Sequence, residues 1–409
     1  MKNLLRGSDI YFTIEPLYYV SKILGLAPFS YKENKNGKKQ YSFRCVDVIS
    51  TFVWLAAFLA GLPLHMAHDI IYKQVGLPTK MCIALDIYII SLYLTSITSL
   101  LLSGTLNRQK LPQLIEKVSE VDEILYQKRG NDIVFKRSRV YLILQLATLA
   151  VVLGFLHCYN IYSFYNGTVW GCAVTILENF SFLVNTLVVI QFVDSVFMLK
   201  ERYSSINRTL VASVTPSLDG ERPSDAKVWC SAAVAGELGV NTDVNNGELV
   251  RAIRMLHSGL HDAVLLIASN YGFPIFMTTF WIFMTIVFVL YYGLFSLQEV
   301  LSSSSAAEQH EVILSLCWCV FCIILLVVIT LSCQLTIQEA NMTPVLVEKL
   351  LLYRNLRLDT VNELKEFSNQ LSNMRVDFSA CGFFSLNLSF LYAITGVICT
   401  HLIILAQLN

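Results

Sequence analysis

Apolar and polar positions alternate along this chain in long blocks rather than short ones. Seven stretches, 46–66, 81–102, 140–161, 172–193, 274–295, 312–333 and 384–405, are dominated by apolar residues. About 20 such residues, coiled as a helix, cross the hydrocarbon core of a bilayer, so each stretch predicts a transmembrane helix. The fourth is interrupted by Glu178, Asn179 and Asn185. Between the blocks, apolar residues recur at helical spacing: Leu111, Leu114, Ile115, Val118, Val121 and Leu125; then Leu249, Ile253, Leu256, Leu260 and Val264; then Val361, Leu364, Phe367 and Leu371. A stripe of this kind needs a partner face, and the three are expected to pack together on one side of the membrane. Residues 213–247, rich in Ser, Gly, Pro, Asp and Asn, are expected to form a disordered insertion.

Charge sets the orientation. Of the 30 Lys and Arg residues, 28 lie in the N-terminal segment and in the loops after the second, fourth and sixth stretches. Basic residues mark the cytosolic side, so the N-terminus is expected in the cytosol and the C-terminus outside. The sequon Asn166-Gly167-Thr168 lies in a loop without Lys or Arg, which this orientation places outside, and Asn166 is the candidate glycosylation site. The first 45 residues are polar and basic and lack the apolar core of a signal peptide, so the first span is expected to direct insertion into the plasma membrane.

The resulting expectation is an all-α membrane protein with seven transmembrane helices and cytosolic helical extensions forming an anchor region. Residues 1–45 form a cytosolic segment. Residues 46–198 hold four spans, with a cytosolic extension at 108–139. Residues 199–272 form a cytosolic loop with the insertion and a helix at 248–270. Residues 273–335 hold two spans, 336–382 an anchor helix and 383–409 the last span.

Composition agrees with that expectation and removes several functions. The chain is 55% hydrophobic and 15% charged, against about 25% charged in soluble domains. Its formal net charge is zero, which gives no electrostatic reason to expect nucleic acid. No nucleophile elbow, phosphate loop or zinc-ligand helix appears, so neither enzymatic activity nor a cofactor is expected. Cys317, Cys319 and Cys322 lie in an apolar run, where cysteine behaves as a small hydrophobe. His257 and His261 have the four-residue spacing of a metal pair, but solvated or packed histidines are the expected reading. Cys158 and Cys172 flank one loop and are candidates for a disulfide if it is extracellular. Glu201-Arg202-Tyr203 resembles the acidic-Arg-Tyr motif of G-protein-coupled receptors. It follows the fourth span rather than the third, and reads as an ordinary charged helix end.

The C-terminus carries a more specific pattern: Thr400-His401, five apolar residues, then Gln407-Leu408. It resembles the signature of insect gustatory receptors, with His and Leu where that family usually has Tyr and Phe. Phe378-Ser379-Ala380 and Gly382-Phe383-Phe384, and near the N-terminus Glu15-Pro16-Leu17 and Ser21 to Phe29, resemble the same family. The resemblance implies a homotetrameric or heterotetrameric, ligand-gated, non-selective cation channel in the plasma membrane, detecting a small-molecule tastant such as a sugar or bitter compound. It implies that the last helix of each subunit lines the pore, with membrane lipid around the assembly. Gln407 and Leu408 would then form the outer constriction, with Thr400 and His401 bracing the helix below. A metabotropic receptor signalling through a cytosolic partner and a small-molecule carrier remain the alternatives.

Ionisable groups within a membrane are costly and usually functional. Asp86, His157 and Glu178 fall at one depth, in the outer third of their spans, which suggests a water-accessible cavity. Tyr93, Tyr162, Trp170, Tyr291 and Trp318 are the aromatic candidates for its walls. Such a cavity suits a small polar or amphipathic ligand held by a few hydrogen bonds.

Overall fold

The computed structural model describes residues 9–33, 39–72, 79–126, 132–163, 169–214, 246–302, 306–352 and 356–407. Its helices are α1 (Ile10–Ile23), α2 (Cys45–Tyr72), α3 (Thr79–Gly104), α4 (Lys110–Tyr126), α5 (Asp132–Ser163), α6 (Val169–Val214), α7 (Asn246–Ser302), α8 (Ala306–Leu351), α9 (Leu358–Asn373) and α10 (Leu388–Gln407). Two antiparallel ribbons join them: β1 (Ser30–Glu33) with β2 (Lys39–Ser42), and β3 (Ser379–Ala380) with β4 (Phe384–Ser385).

Helices α2, α3, α5, α6, α7 and α8 are each long and apolar enough to cross a membrane. The seventh, α10, has 20 residues, about 30 Å at 1.5 Å per residue, and also suffices. It begins at Leu388 rather than at 384, because Phe384 is taken into β4. Asn387 starts the helix, its Oδ1 accepting from the Phe390 N–H at 3.1 Å. The lipid-facing surface is apolar: Phe52, Val53 and Leu59 on α2, Val151 and Phe155 on α5, and Val320 and Ile324 on α8 are exposed.

Helix α6 is the hub, packing against α7, α8, α3 and α2. Its polar residues explain why the fourth stretch tolerates them. The Ser96 hydroxyl donates to Asn185 Oδ1 at 2.9 Å and lies 2.6 Å from the Ser181 hydroxyl, and Asn185 Nδ2 donates to the Leu92 carbonyl at 3.1 Å. These bonds tie α3 to α6 where neither helix gains hydrophobic energy by leaving lipid.

With 57 residues, α7 is about 85 Å long, far more than a bilayer needs. The segments expected as a separate helix at 248–270 and a span from 274 are one continuous element containing Pro274. The surplus lengths of α6, α7 and α8 run on to the basic end of the bundle. There α4 lies along α7, and α9 against α7 and α8. The first two stripes are buried or packed on the core as expected. The third is rotated slightly: Thr360, Leu364, Phe367 and Leu371 are buried, whereas Val361 is only half-buried. The insertion expected at 213–247 lies almost wholly outside the described residues.

Glu201-Arg202-Tyr203 is not a plain charged helix end. Arg202 and Tyr203 are buried. The Arg202 guanidinium binds Asp122 of α4 through two bonds, Nε to Oδ1 at 2.9 Å and Nη2 to Oδ2 at 2.6 Å. Tyr203 packs edge-on to His257 at 5.3 Å, and His257 meets Phe367 at 5.6 Å. That histidine, spaced four from His261, is a wedge between three elements.

The segment that resembles the gustatory-receptor opening fastens α1 to the bundle. Gln191 Nε2 donates to the Ser21 hydroxyl at 2.7 Å. Lys22 Nζ reaches Asp47 at 2.7 Å and the Phe29 carbonyl at 3.2 Å. Burial by itself would depress the Lys22 pKa, but Asp47 and Tyr18 outweigh it and hold the ammonium above its ordinary value. Gly25, at φ +79°, lies against the backbone of Thr51, whose hydroxyl donates to the Gly25 carbonyl at 2.7 Å.

Candidate pore helix and ligand pocket

The turn leading into α10 is built from the second resemblance motif. Cys381 (φ 52°) and Gly382 (φ 77°) both take left-handed backbone between β3 and β4. The Leu386 N–H donates to the Phe378 carbonyl at 2.7 Å, and Phe378 is buried. Phe383 stacks on Phe276 of α7 at 5.0 Å, and Phe384 on Phe390 at 4.3 Å. These rings fix the angle at which α10 leaves the turn.

Helix α10 has two unlike faces. Leu391, Ile394, Ile398 and Leu402, spaced three and four apart, are buried or half-buried, and the helix packs on α7 and α8. Tyr392, Val397, Thr400, Ile403, Ile404 and Gln407 are exposed. The Thr400 hydroxyl donates to the Gly396 carbonyl at 2.9 Å. His401 Nδ1 lies 2.9 Å from the Val397 carbonyl, and its ring meets Phe283 of α7 edge-on at 5.7 Å. Leu408 lies outside the described residues.

Among the pocket candidates, two groups come together. Glu178 of α6 accepts from the Tyr88 hydroxyl at 3.0 Å, and Tyr88 stacks on Phe288 of α7 at 5.3 Å. His157 of α5 lies 5.3 Å from the Trp318 ring of α8 and 5.9 Å from Phe182. Asn179 adjoins His157 without reaching hydrogen-bond geometry: among the described residues, both His157 ring nitrogens and Asn179 Nδ2 are buried without a partner.

The other candidates lie elsewhere on α3, α6 and α7. Tyr93 is fully buried against Phe58 and His65. Asp86 is half-buried on α3, Tyr291 is buried on α7 and Trp170 is 65% exposed at the start of α6. Asn166 and the side chain of Tyr162 lie outside the described residues. Cys158 and Cys172 are both free thiols, so the disulfide considered for them is not formed. Among the described residues, no three His, Cys, Asp or Glu side chains gather as a metal site.

Tyr88 was missed by the sequence reasoning, although its signal was present. Tyr88, Leu92 and Ser96 are spaced four apart on α3, and Glu178, Ser181 and Asn185 three and four apart on α6. Since Ser96 meets Ser181 and Asn185, helical periodicity places Tyr88 opposite Glu178.

The sequence pattern of the family described as 7tm Chemosensory receptor matches residues 14–408. The chain belongs to that family. The receptor is 21% identical to the gustatory receptor for sugar taste 43a of Drosophila melanogaster, over 96% of each chain. It is 23% identical to that fly's gustatory receptor for bitter taste 66a, over 97% of this chain and 88% of the relative. Among solved structures, the insect olfactory receptor OR5 from Machilis hrabei in complex with eugenol superposes with a TM-score of 0.62. The superposition covers 97% of this receptor and 98% of that chain at 13% identity, so the likeness is one of fold. The receptor is a multi-pass protein of the plasma membrane.

Proposed function

We propose that this receptor is a ligand-gated, non-selective cation channel that detects a small-molecule tastant and assembles as a homotetramer or heterotetramer. The observation that carries this reading is the two-faced α10. One face packs on its own subunit. The other, exposed from Tyr392 to Gln407, offers apolar side chains with Thr400 and Gln407 to whatever adjoins it. Four such helices around an axis would leave a narrow, mostly apolar conduit that gates by wetting and dewetting at its constriction, near Gln407 and Leu408.

The ligand would enter between α3, α5, α6, α7 and α8, where Glu178–Tyr88 and His157–Trp318 supply polar groups beside aromatic walls. A eugenol complex of the OR5 neighbour supports small-molecule binding in this fold. Because the relatives are named for sugar taste and for bitter taste, both ligand classes belong in the test. The basic end is assigned to the cytosol, with the N-terminus inside, the C-terminus outside and the α4, α7 and α9 packing serving as the anchor.

The test is recording from excised patches of cells expressing the receptor, with and without related receptors, against sugars and bitter compounds. Ligand-evoked cation current in cell-free patches is expected. Ligand-evoked signalling in intact cells with no excised-patch current would overturn the channel reading.

A further inference from the structure

A second cavity lies far from the Glu178 region. It has a volume of about 390 Å³ and opens between α1, α4, α5 and α6, within the range of small-molecule sites. Asp194 at its polar end is 16 residues after Glu178 on the same helix, roughly 24 Å at 1.5 Å per residue. Its walls are apolar: Ile14, Leu17, Phe29, Leu114, Leu142 and Met198.

The polar end is incompletely satisfied. Gln145 adjoins the Asp194 carboxylate, and the Ser195 and Asn270 side chains adjoin the Tyr271 hydroxyl. Yet among the described residues Asp194 Oδ2 and the Tyr271 hydroxyl are buried without a hydrogen-bond partner. Both residues line the cavity, together with Glu201. Glu201 has a neighbouring cation, its Oε2 lying 3.6 Å from Arg202 Nη1, so Asp194 is the uncompensated carboxylate. Among the described residues, no Lys or Arg lines the cavity.

We propose that this cavity binds a small amphipathic amine, its ammonium donating to Asp194 and its apolar body filling the space between α1, α4 and α5. A buried carboxyl oxygen left without a donor is costly, and an ammonium supplies that donor and a positive charge together. A phosphatidate or phosphoinositide headgroup fits poorly, since its phosphate would face Asp194 and Glu201. A hydrated metal ion does not account for the apolar walls. The site is separate from the proposed tastant pocket and does not rest on the channel reading.

The test is equilibrium binding to the purified full-length receptor in phosphatidylcholine nanodiscs, with tritiated 3-phenylpropylamine as probe. Unlabelled 3-phenylpropan-1-ol is the uncharged competitor. Saturable binding that the alcohol displaces weakly is expected. Asp194→Asn should weaken it by about tenfold or more, the scale of one charge-assisted hydrogen bond. Leu142→Trp, which fills the cavity without altering charge, should abolish it. Asp262→Asn, removing an exposed carboxylate on α7, should leave it unchanged. Gel-filtration profile and tryptophan-fluorescence melting establish that each variant is folded. Absence of saturable binding, equal displacement by amine and alcohol, or undiminished binding to Asp194→Asn or Leu142→Trp would each overturn the proposal.

Discussion

A Cβ added at Gly25 would come within 2.6 Å of the Thr51 Cα, and at φ +79° the backbone is already left-handed. The obstruction is main chain, so it yields only if α1 and α2 move apart. Gly25→Ala is therefore expected to cost more than the roughly 1–2 kcal/mol of left-handed strain alone and to sharply reduce surface expression. Gly154, on α5, has nothing within 4 Å of its would-be Cβ. Gly154→Ala should instead stabilise the helix by about 0.5–1 kcal/mol. Thermal melting of the purified variants checks both signs, and equal behaviour would contradict the packing at Gly25. The Tyr88–Glu178 bond makes a second residue-scale prediction. Tyr88→Phe removes a donor from a membrane-embedded carboxyl while keeping the ring that stacks on Phe288. A loss of about 1–3 kcal/mol is expected. If the pair contacts ligand, the loss appears as a shifted dose–response curve; if it only joins α3 to α6, it appears as a lowered melting temperature with an unshifted curve.

Between elements, the Asp122–Arg202 pair holds α4 to α6 with both side chains buried, 7% and 6% exposed. Removing one partner strands a charge, so Asp122→Leu and Arg202→Met should each cost about 3–5 kcal/mol. The double variant should recover most of that, because two apolar groups of similar shape fill the space without a desolvation penalty. A double-mutant cycle on melting temperature reads the coupling directly, and additive losses would contradict it. This pair also shows where the sequence stopped being informative. The spans and amphipathic stripes were legible because burial in lipid or in a helix face imposes a period that local composition records. Arg202 reads from sequence as an ordinary charged helix end because its partner is 80 residues away, and no local pattern records such a pairing. The polar residues of α6 were equally ambiguous alone: Asn185 looked like a flaw in a span until Ser96 and Leu92 stood opposite it. Similarly, the start of α10 was placed four residues early because Phe384, apolar enough for a helix, is consumed by the ribbon that aims it.

For the whole molecule, the unequal partnering of α10 is the feature that a single subunit leaves unexplained. The other spans expose mainly apolar side chains, with Thr148 on α5 an exception, whereas α10 exposes both Thr400 and Gln407 beside Tyr392 and Ile404 on its free face. Polar side chains gain little from acyl chains, whereas a symmetric ring would turn that face toward identical copies and a shared axis. A cyclic assembly brings the same position of neighbouring subunits close together near the axis and nowhere on the periphery. Gln407→Cys, made with Cys399→Ser to remove the exposed thiol on this helix, should therefore form covalent dimers on mild oxidation in membranes. Val151→Cys, placed on the outward face of α5 with the same Cys399→Ser change, should give none. Native gels of the unoxidised protein should show the tetramer. Crosslinking at residue 151 but not at 407 would move the interface to α5 and leave α10 facing lipid, which would remove the physical basis for assigning it the pore.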